Sequence, residues 1–432
     1  MKKALAVVCS LLLILPLCAC QGKEASEPLP PSAAPQVTQA PSTERPATEA
    51  TAEPTEQPDV QTEEQSRVLV SIQTTALEQY DPQTGDQLIL SFSYETPVVY
   101  MEGRAQATAA INEYLAMVDE LYYTGDVNQG TGFNAMLERA EDNYAYVVGT
   151  GAEGIPLEFS CTRNVNTGRL DSTVINVLLE TYSYTGGPHG SYESQAYVFD
   201  AGTGALLHLE DLTNDIETLK DALVDSMVLQ ATGDTACAAQ LAGSFLTPTE
   251  YPEAFRALLR DGSWFFDSDG LVIFSDVEEL GPYAVGAFRF RIPYAELVGK
   301  IDERWMPAAR EGSGGFSIAR MEQVENGTVE ILDKLTVMSP GQEYCLKAEG
   351  TVYDVTLSTV YYTDSFHEQQ LLWACSDMKD CALQLVTVIP EGLPNLMLHY
   401  TDEQGTAHSL LLSEDGRNGD PLLVDDSIQA VG

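Results

Sequence analysis

The stretch from residue 21 to residue 66 restricts the fold more than any other feature of this 432-residue sequence. It contains eight prolines and nine acidic residues, and its larger aliphatic side chains are only Leu29, Val37 and Val60. Such a segment cannot bury enough apolar area to offset the entropy lost on ordering. We therefore predict a disordered tether with an r.m.s. span of about 37 Å, and we expect the hydrophobic core to begin near residue 67.

Ahead of this tether, the sequence has the pattern of an export signal. Lys2 and Lys3 precede an apolar run over residues 4–15, which is too short to span a bilayer as a helix. The run ends in residues 17–20 (LCAC), which resemble the lipobox of bacterial lipoproteins. The resemblance implies removal of residues 1–19 and lipidation of Cys20, and paired acyl chains anchor a protein stably. Lipidation of Cys18 and an ordinary secretory signal are the alternatives.

The acidic composition limits the classes of partner. The chain has 22 Lys and Arg against 65 Asp and Glu, so its formal net charge is −43. This charge repels phosphate, so we expect no nucleic-acid binding and no adsorption to anionic lipid through a basic patch. The acidic residues are spread along the chain, which predicts a generally acidic surface that attracts a cationic partner.

Residues 67–310 mix helical and strand patterns. Ile111, Leu115, Val118 and Tyr122 have helical spacing and predict an amphipathic helix over 104–123. Other patterns predict helices starting near 133, 214 and 295, and strands near 68–72, 88–94, 157–162, 174–179 and 288–292. The nearly unbroken apolar run at 174–179 indicates a strand covered on both faces. We predict an α+β domain with an antiparallel sheet over 67–310.

Residues 311–432 have a different pattern. The segment begins with a glycine-rich stretch at 311–315, which we interpret as a hinge, and shows short strands without a helical period. Strands are predicted at 352–362, 382–389, 396–400 and 409–412, with a hairpin turn at 402–405. We predict a small all-β, sandwich-like domain from the number of strands. The predicted organisation is thus 1–19 signal, 20–66 lipidated tether, 67–310 α+β domain and 311–432 β-domain.

Several motifs in the middle region are more specific than its composition. Together they resemble the extracytoplasmic domain of unknown function found in RsiV-type anti-sigma factors and in PdaC-type peptidoglycan deacetylases, over about residues 85–300. The motifs are residues 182–190 (YSYTGGPHG), 200–212 (DAGTGALLHLEDL), 264–274 (WFFDSDGLVIF), 281–286 (GPYAVG) and 292–297 (IPYAEL). The resemblance implies an extracytoplasmic binding domain, since the anti-sigma relatives bind lysozyme. It implies no deacetylase activity here, because the deacetylases carry their metal on a separate domain.

The tyrosine-rich motifs provide the candidate ligand contacts. Tyrosine is enriched at protein interfaces, and His189 is the side chain there that can titrate near neutral pH. Packing within strands and turns is the alternative interpretation for all of them. The candidate contacts are Tyr182, Tyr184, His189, Tyr192 and Tyr283.

The sequence contains no catalytic motif, metal-ligand pattern or cofactor signature that we can identify. Cys161 and Cys237 are expected to be free, whereas Cys375 and Cys381 are placed to pair across a hairpin. We expect a non-enzymatic lipoprotein at the cell membrane, facing out of the cytoplasm, that binds or senses an extracellular protein such as lysozyme, or a cell-wall component. The alternatives are an accessory protein of peptidoglycan hydrolysis or deacetylation, and a structural lipoprotein of envelope assembly.

Overall fold

The computed structural model describes most of the chain from residue 67 onward. The described residues are 15–17, 67–125, 132–233, 235–310, 312, 314–321, 330–331, 343–363, 366–379, 382–386 and 395–412. The predicted tether and Cys20 lie outside these residues, as do parts of the glycine-rich stretch at 311–315.

The strands and helices are numbered in chain order. The strands are β1 (Leu15–Leu17), β2 (Val68–Tyr80), β3 (Leu88–Met101), β4 (Phe159–Leu170), β5 (Val174–Tyr184), β6 (Ser191–Asp200), β7 (Trp264–Phe266), β8 (Gly270–Phe274), β9 (Arg289–Pro293), β10 (Gly315–Met321), β11 (Glu330–Ile331), β12 (Glu343–Glu349), β13 (Thr351–Thr363), β14 (Phe366–Lys379), β15 (Ala382–Val386), β16 (Asn395–Thr401) and β17 (Ala407–Leu412). The helices are α1 (Ala105–Thr124), α2 (Phe133–Thr150), α3 (Ile216–Thr232), α4 (Ala236–Leu241), α5 (Tyr251–Ala257) and α6 (Tyr294–Leu297).

A large curled sheet of nine strands organises the fold. Its strand order is β17-β16-β13-β14-β2-β3-β4-β5-β6. A separate antiparallel sheet of three strands has the order β7-β8-β9, and a third sheet has the order β1-β15-β12-β10-β11. The protein therefore combines helices with mainly antiparallel sheets, as the α+β pattern predicted in outline.

Helices α1 and α2 pack on one face of the large sheet. Ile111 and Leu115 of α1 lie in a buried cluster with residues of β3 and β5, while Met136 and Tyr144 of α2 join a second cluster with β3 and β4. The buried positions of α1 recur every four residues, which is the helical period read from the sequence. The predicted helix over 104–123 is confirmed.

The opposite face of the sheet is covered by α3, α5 and the three-stranded sheet. Val174 and Leu178 of β5 join this cluster, whereas Ile175 and Val177 point into the cluster below α1. Alternate residues of a strand face opposite sides, so both sets are buried. The prediction that 174–179 is covered on both faces is confirmed.

The structure differs from the predicted fold in two respects. Strands β3 and β4 pair in parallel, because α1 and α2 lie between them in sequence and return the chain to the edge of β3 in the same direction. Strands β13, β14, β16 and β17 do not form a sandwich of their own, since β14 pairs with β2 and extends the large sheet. The exposed backbone groups along the edge of β2 explain this addition.

Two smaller differences concern helix ends. The closing helix predicted from residue 295 is only α6, followed by a 3₁₀ turn at Glu303–Trp305. The helix predicted to start near residue 214 is α3, whose N-cap is Asp215; the Asp215 carboxylate accepts a hydrogen bond from the Thr218 amide at 3.2 Å. The hairpin turn at 402–405 is present and joins β16 to β17.

Candidate functional site

The hairpin formed by β5 and β6 carries four of the five candidate contact residues. Tyr182 pairs with Tyr192 and Ser183 with Ser191 across the two strands. Gly186 and Gly187, in the turn between them, have φ angles of 95° and 105°, which residues other than glycine rarely adopt. The two glycines therefore allow the tight turn that brings the two tyrosine-bearing strands together.

On one face of the hairpin, the predicted aromatic residues pack in two pairs. The Tyr182 and Tyr192 rings lie with centroids 4.6 Å apart, and Tyr192 is 46% exposed. The exposed His189 ring stacks on Tyr283 at 3.7 Å between centroids. Tyr283 comes from a 3₁₀ turn (Tyr283–Val285) about 90 residues further on, so the structure brings this candidate to the hairpin.

Some of these groups also hold the turn itself. The Tyr184 hydroxyl donates to the Gly187 carbonyl at 3.1 Å, and His189 Nδ1 lies 3.0 Å from the Gly190 carbonyl oxygen. A Cβ at Gly190 would collide with the Tyr182 ring. Tyr184 and Tyr182 thus shape the turn, whereas Tyr192 and His189 are the candidates with exposed surface.

This face is tied to the three-stranded sheet by polar contacts. The Ser194 amide donates to Asp276 Oδ1 at 2.9 Å, and Arg289 of β9 forms an ion pair with Glu180 of β5 at 2.7 Å. The hairpin is therefore fixed at a defined position relative to the 3₁₀ turn that holds Tyr283.

The other face of the same hairpin forms one wall of a cavity of about 350 Å³. Because side chains alternate along a strand, Thr181, Ser183, Ser191 and Glu193 point away from the tyrosines and toward α1 and α2. The size falls within the range of small-molecule sites. The cavity lining is Phe92, Leu121, Tyr122, Gly125, Gly132, Met136, Arg139, Cys161, Thr181, Ser183, Thr185, Ser191 and Glu193.

This cavity was not predicted from the sequence. The signal that could have indicated it is the alternation of Thr181, Ser183 and Thr185 with the tyrosines at 182 and 184. A strand whose inward positions change from apolar residues to small hydroxyl residues no longer fills the core at that end. The helices that close the cavity are not contained in that local pattern.

The floor of the cavity is formed by buried, mainly apolar side chains. Phe92, Met136 and Cys161 are buried there, and the Tyr122 hydroxyl lies 3.0 Å from Cys161 Sγ. Burial raises the pKa of the Cys161 thiol and of the Tyr122 hydroxyl. A raised pKa lowers the thiolate fraction at neutral pH, which is the opposite of what a nucleophilic cysteine needs.

Beside this floor lies a buried polar cluster that crosses the large sheet. Arg163 of β4 forms an ion pair with Asp119 of α1 and donates to the Glu95 carbonyl at 3.0 Å. The Glu95 carboxylate accepts from the Val165 amide at 2.6 Å and from the Gln370 side chain of β14. Burial raises the pKa of Glu95 to about 7, although these hydrogen bonds and Arg163 oppose that shift.

Metal ligands and thiols were also candidate features. Within the part of the chain that the structure describes, no three or more His, Cys, Asp or Glu side chains converge as they would around a metal ion. Cys161 and Cys237 are free, as predicted. Cys375 donates to the Asp377 carbonyl at 3.1 Å, and Cys381 lies outside the described residues, so their pairing stays a prediction.

Among the described helices, none is both long enough and apolar enough to cross a lipid bilayer. The predicted lipidation site, Cys20, lies outside the described residues, and its role remains a prediction.

The class that these features define is a mixed α/β protein in which a small antiparallel sheet and its helices cover one face of a large curled sheet. Residues 214–295, which run from the start of α3 to the start of α6, match the family model described as "Protein of unknown function (DUF3298)". The chain therefore contains a DUF3298 domain. A comparison with curated proteins found no match.

Two solved structures of DUF3298 proteins are similar to this chain. The first, a member of the DUF3298 family from Bacteroides fragilis, is 18% identical, with 54% of this chain and 94% of that chain covered and a TM-score of 0.40. The second, a DUF3298 family protein from Pseudomonas aeruginosa, is 16% identical, with 55% and 97% covered and a TM-score of 0.35.

Proposed function

We propose that this protein is a lipid-anchored, extracytoplasmic lipoprotein that displays a non-enzymatic binding or sensing domain at the cell envelope. The observation that carries the proposal is the β5–β6 hairpin, where Tyr192 and the His189–Tyr283 pair are presented on a rigid frame. Exposed aromatic rings on a fixed support are typical of recognition surfaces, because they add contact area at low entropic cost. The raised pKa values of Cys161 and Tyr122 also favour binding over covalent catalysis.

The charge of the domain favours a cationic extracellular protein as its partner. Residues 67–310 contain 13 basic and 36 acidic residues, a formal charge of −23. Opposite charges accelerate encounter, but this attraction decays over a Debye length of about 8 Å at physiological salt. Specific binding therefore also requires the aromatic surface. Lysozyme is the candidate implied by the resemblance to RsiV-type anti-sigma factors.

The partner is tested by titrating the full-length chain with lysozyme at about 0.15 M and about 0.5 M salt. We expect His189→Ala and Tyr192→Ala each to weaken binding at least tenfold at high salt. Tyr146→Ala is the matched control, because Tyr146 is a tyrosine with 57% exposure that belongs to α2 and not to the hairpin. Binding that disappears at high salt, or that ignores both hairpin substitutions, would leave only a nonspecific acidic surface and remove lysozyme as the ligand.

The anchor is tested separately. Cys20→Ala should release the protein from membranes and abolish labelling by a palmitate analogue, since the thioether lipid needs the Cys20 thiol. Cys18→Ala is the matched control and should be labelled like the natural protein. Loss of labelling in Cys18→Ala with full labelling of Cys20→Ala would transfer the site to Cys18, and labelling of neither natural nor variant protein would contradict lipidation.

A further inference from the structure

We infer that the cavity behind the β5–β6 hairpin binds a neutral polyhydroxylated ligand, of the size of a monosaccharide or one end of an oligosaccharide. The inference deepens the proposed function, on which it rests, by giving the domain a second ligand on the face opposite to the aromatic pairs. Its observations are the cavity lining, the hydrogen bonds that this lining leaves unused, and the balance of charge.

The side of the cavity formed by the β5–β6 hairpin, its polar wall, has hydrogen-bonding groups without a partner among the described residues. Thr181, Ser183, Thr185 and Ser191 supply four hydroxyl groups, and Glu193 supplies a carboxylate. None of these five side chains makes a hydrogen bond to another residue in the described ranges. Each hydroxyl can donate one bond and accept others, so in the free protein they bind water and in a complex they can bind ligand hydroxyls.

The spacing of this wall suits one sugar ring. Thr181 pairs with Glu193 across the strands, and Ser183 pairs with Ser191. Directly opposite side chains stand about 5 Å apart, and same-face neighbours along a strand stand about 7 Å apart. These distances form a grid comparable to the width of a pyranose, whose hydroxyls project around its edge.

The opposite side of the cavity supplies apolar contact. Phe92 and Met136 are almost completely buried, and Leu121, at 60% exposure, stands at the rim. A sugar has C–H groups on its ring faces and hydroxyls on its edge, so one molecule can use both kinds of wall. A wholly apolar ligand would offer no hydrogen bond to the four hydroxyls or to Glu193, so any water that it displaced from them would not be replaced, which costs free energy.

The charges of the cavity argue for a neutral ligand. Among the described residues that line it, Arg139 and Glu193 are the two charged side chains, and they have opposite signs. Within the described part of the chain, Arg139 has no carboxylate partner and makes no hydrogen bond through its side chain. A phosphate or carboxylate ligand would gain from Arg139 but would be repelled by Glu193, whereas sugar hydroxyls can donate to Glu193 and accept from Arg139.

The inference is tested on the full-length chain in a detergent without a sugar headgroup, by calorimetric titration with maltose, cellobiose and N,N′-diacetylchitobiose. Sodium phosphate and decanoate serve as anionic and apolar probes. We expect saturable binding of at least one disaccharide, weakened at least tenfold by Thr181→Val and by Glu193→Gln, each of which keeps the side-chain shape. Glu113→Gln, on the exposed face of α1, is the charge-matched control and should bind like the natural chain.

A second measurement does not depend on the variants. With ¹³C-methyl methionine, the Met136 signal, assigned through Met136→Leu, should shift saturably with the same disaccharide, while Met117 on the exposed side of α1 should not. The inference is overturned if no disaccharide binds, if both cavity variants bind normally, or if phosphate or decanoate binds in place of sugar. Lysozyme binding and lipid labelling are measured in separate assays, so failure of the sugar site is distinguishable from failure of the proposed function.

Discussion

Glu95 provides the sharpest energetic prediction, because it is a carboxylate with 1% of its surface exposed. It lies on β3, and its side chain receives hydrogen bonds from the Val165 amide and from Gln370. Arg163 lies close by but is already paired with Asp119. Burial therefore dominates and raises the pKa of Glu95 from 4.5 to about 7.

The raised pKa of Glu95 determines how the stability of the protein changes with pH, through proton linkage. Below pH 4.5 the carboxyl is protonated in both the folded and the unfolded chain, so it costs the folded state nothing. Between pH 4.5 and about 7 the unfolded chain releases the proton more readily, and stability falls as the pH rises. The shift from 4.5 to about 7, at about 1.4 kcal/mol per unit, corresponds to roughly 3 kcal/mol of stability lost above pH 7.

The substitution Glu95→Gln removes the titration and keeps the shape of the side chain. We expect the unfolding free energy of Glu95→Gln, relative to the natural chain, to increase by roughly 3 kcal/mol between pH 4.5 and pH 8.5. Urea unfolding at one-unit intervals of pH measures this difference, and titrations elsewhere cancel from it. Glu113→Gln, an exposed site on α1, controls for the loss of one negative charge.

Two results would refute the reasoning on Glu95. A difference that does not vary with pH would mean that the carboxyl titrates alike in folded and unfolded chains. A difference that shrinks as the pH rises would mean that the attraction to Arg163 exceeds the cost of burial, and that Glu95 is an ordinary ion-pair partner.

Two further predictions concern packing and a surface ion pair. Gly168→Ala should destabilise the protein by about 1–3 kcal/mol in urea unfolding, because a Cβ there would collide with the Phe266 carbonyl oxygen; Gly149→Ala, in open space on α2, should not destabilise it. His208 Nδ1 lies 2.8 Å from Asp261, which raises the pKa of His208 above 6.5, so its stabilising contribution is complete below pH 6.5 and is lost as the pH rises further. In an NMR titration Asp261→Asn should lower that pKa, and an unchanged pKa would contradict the pairing.

Local structure in the α+β region could be predicted from the sequence because burial there follows the period of each element. The helix α1 and the strand β5 both appeared in the sequence as runs of apolar residues with the correct spacing. The turn at Gly186 and Gly187 was equally predictable, since positive φ angles favour glycine. These features depend on neighbours within about ten residues, which a single sequence contains.

Long-range pairing could not be predicted in the same way. The pairing of β14 with β2 joins residues about 300 positions apart, and strands of similar composition could have paired otherwise. The contact between Gly168 and Phe266 could not be predicted either, because a glycine in the sequence does not indicate which distant backbone segment will pack against it. Strands β13, β15, β16 and β17 were predicted for 311–432, whereas β14, the strand that joins this part of the chain to β2, was not.

The candidate site depends both on the local pattern of β5 and on residues that are distant in sequence. Alternation along β5 separates Tyr182 from Thr181 and Ser183, so the sequence already contained two faces of different chemistry. The aromatic face was predicted because tyrosine is enriched at protein interfaces, whereas small hydroxyl residues carry no comparable signal. What each face can bind depends on the residues that lie opposite it. Tyr283 stacks on His189 at the aromatic face, and Met136 of α2 lines the cavity at the hydroxyl face. A strand that presents tyrosines on one side and unused hydroxyls on the other can therefore serve two ligands from one rigid hairpin, and substitutions at adjacent positions should separate them.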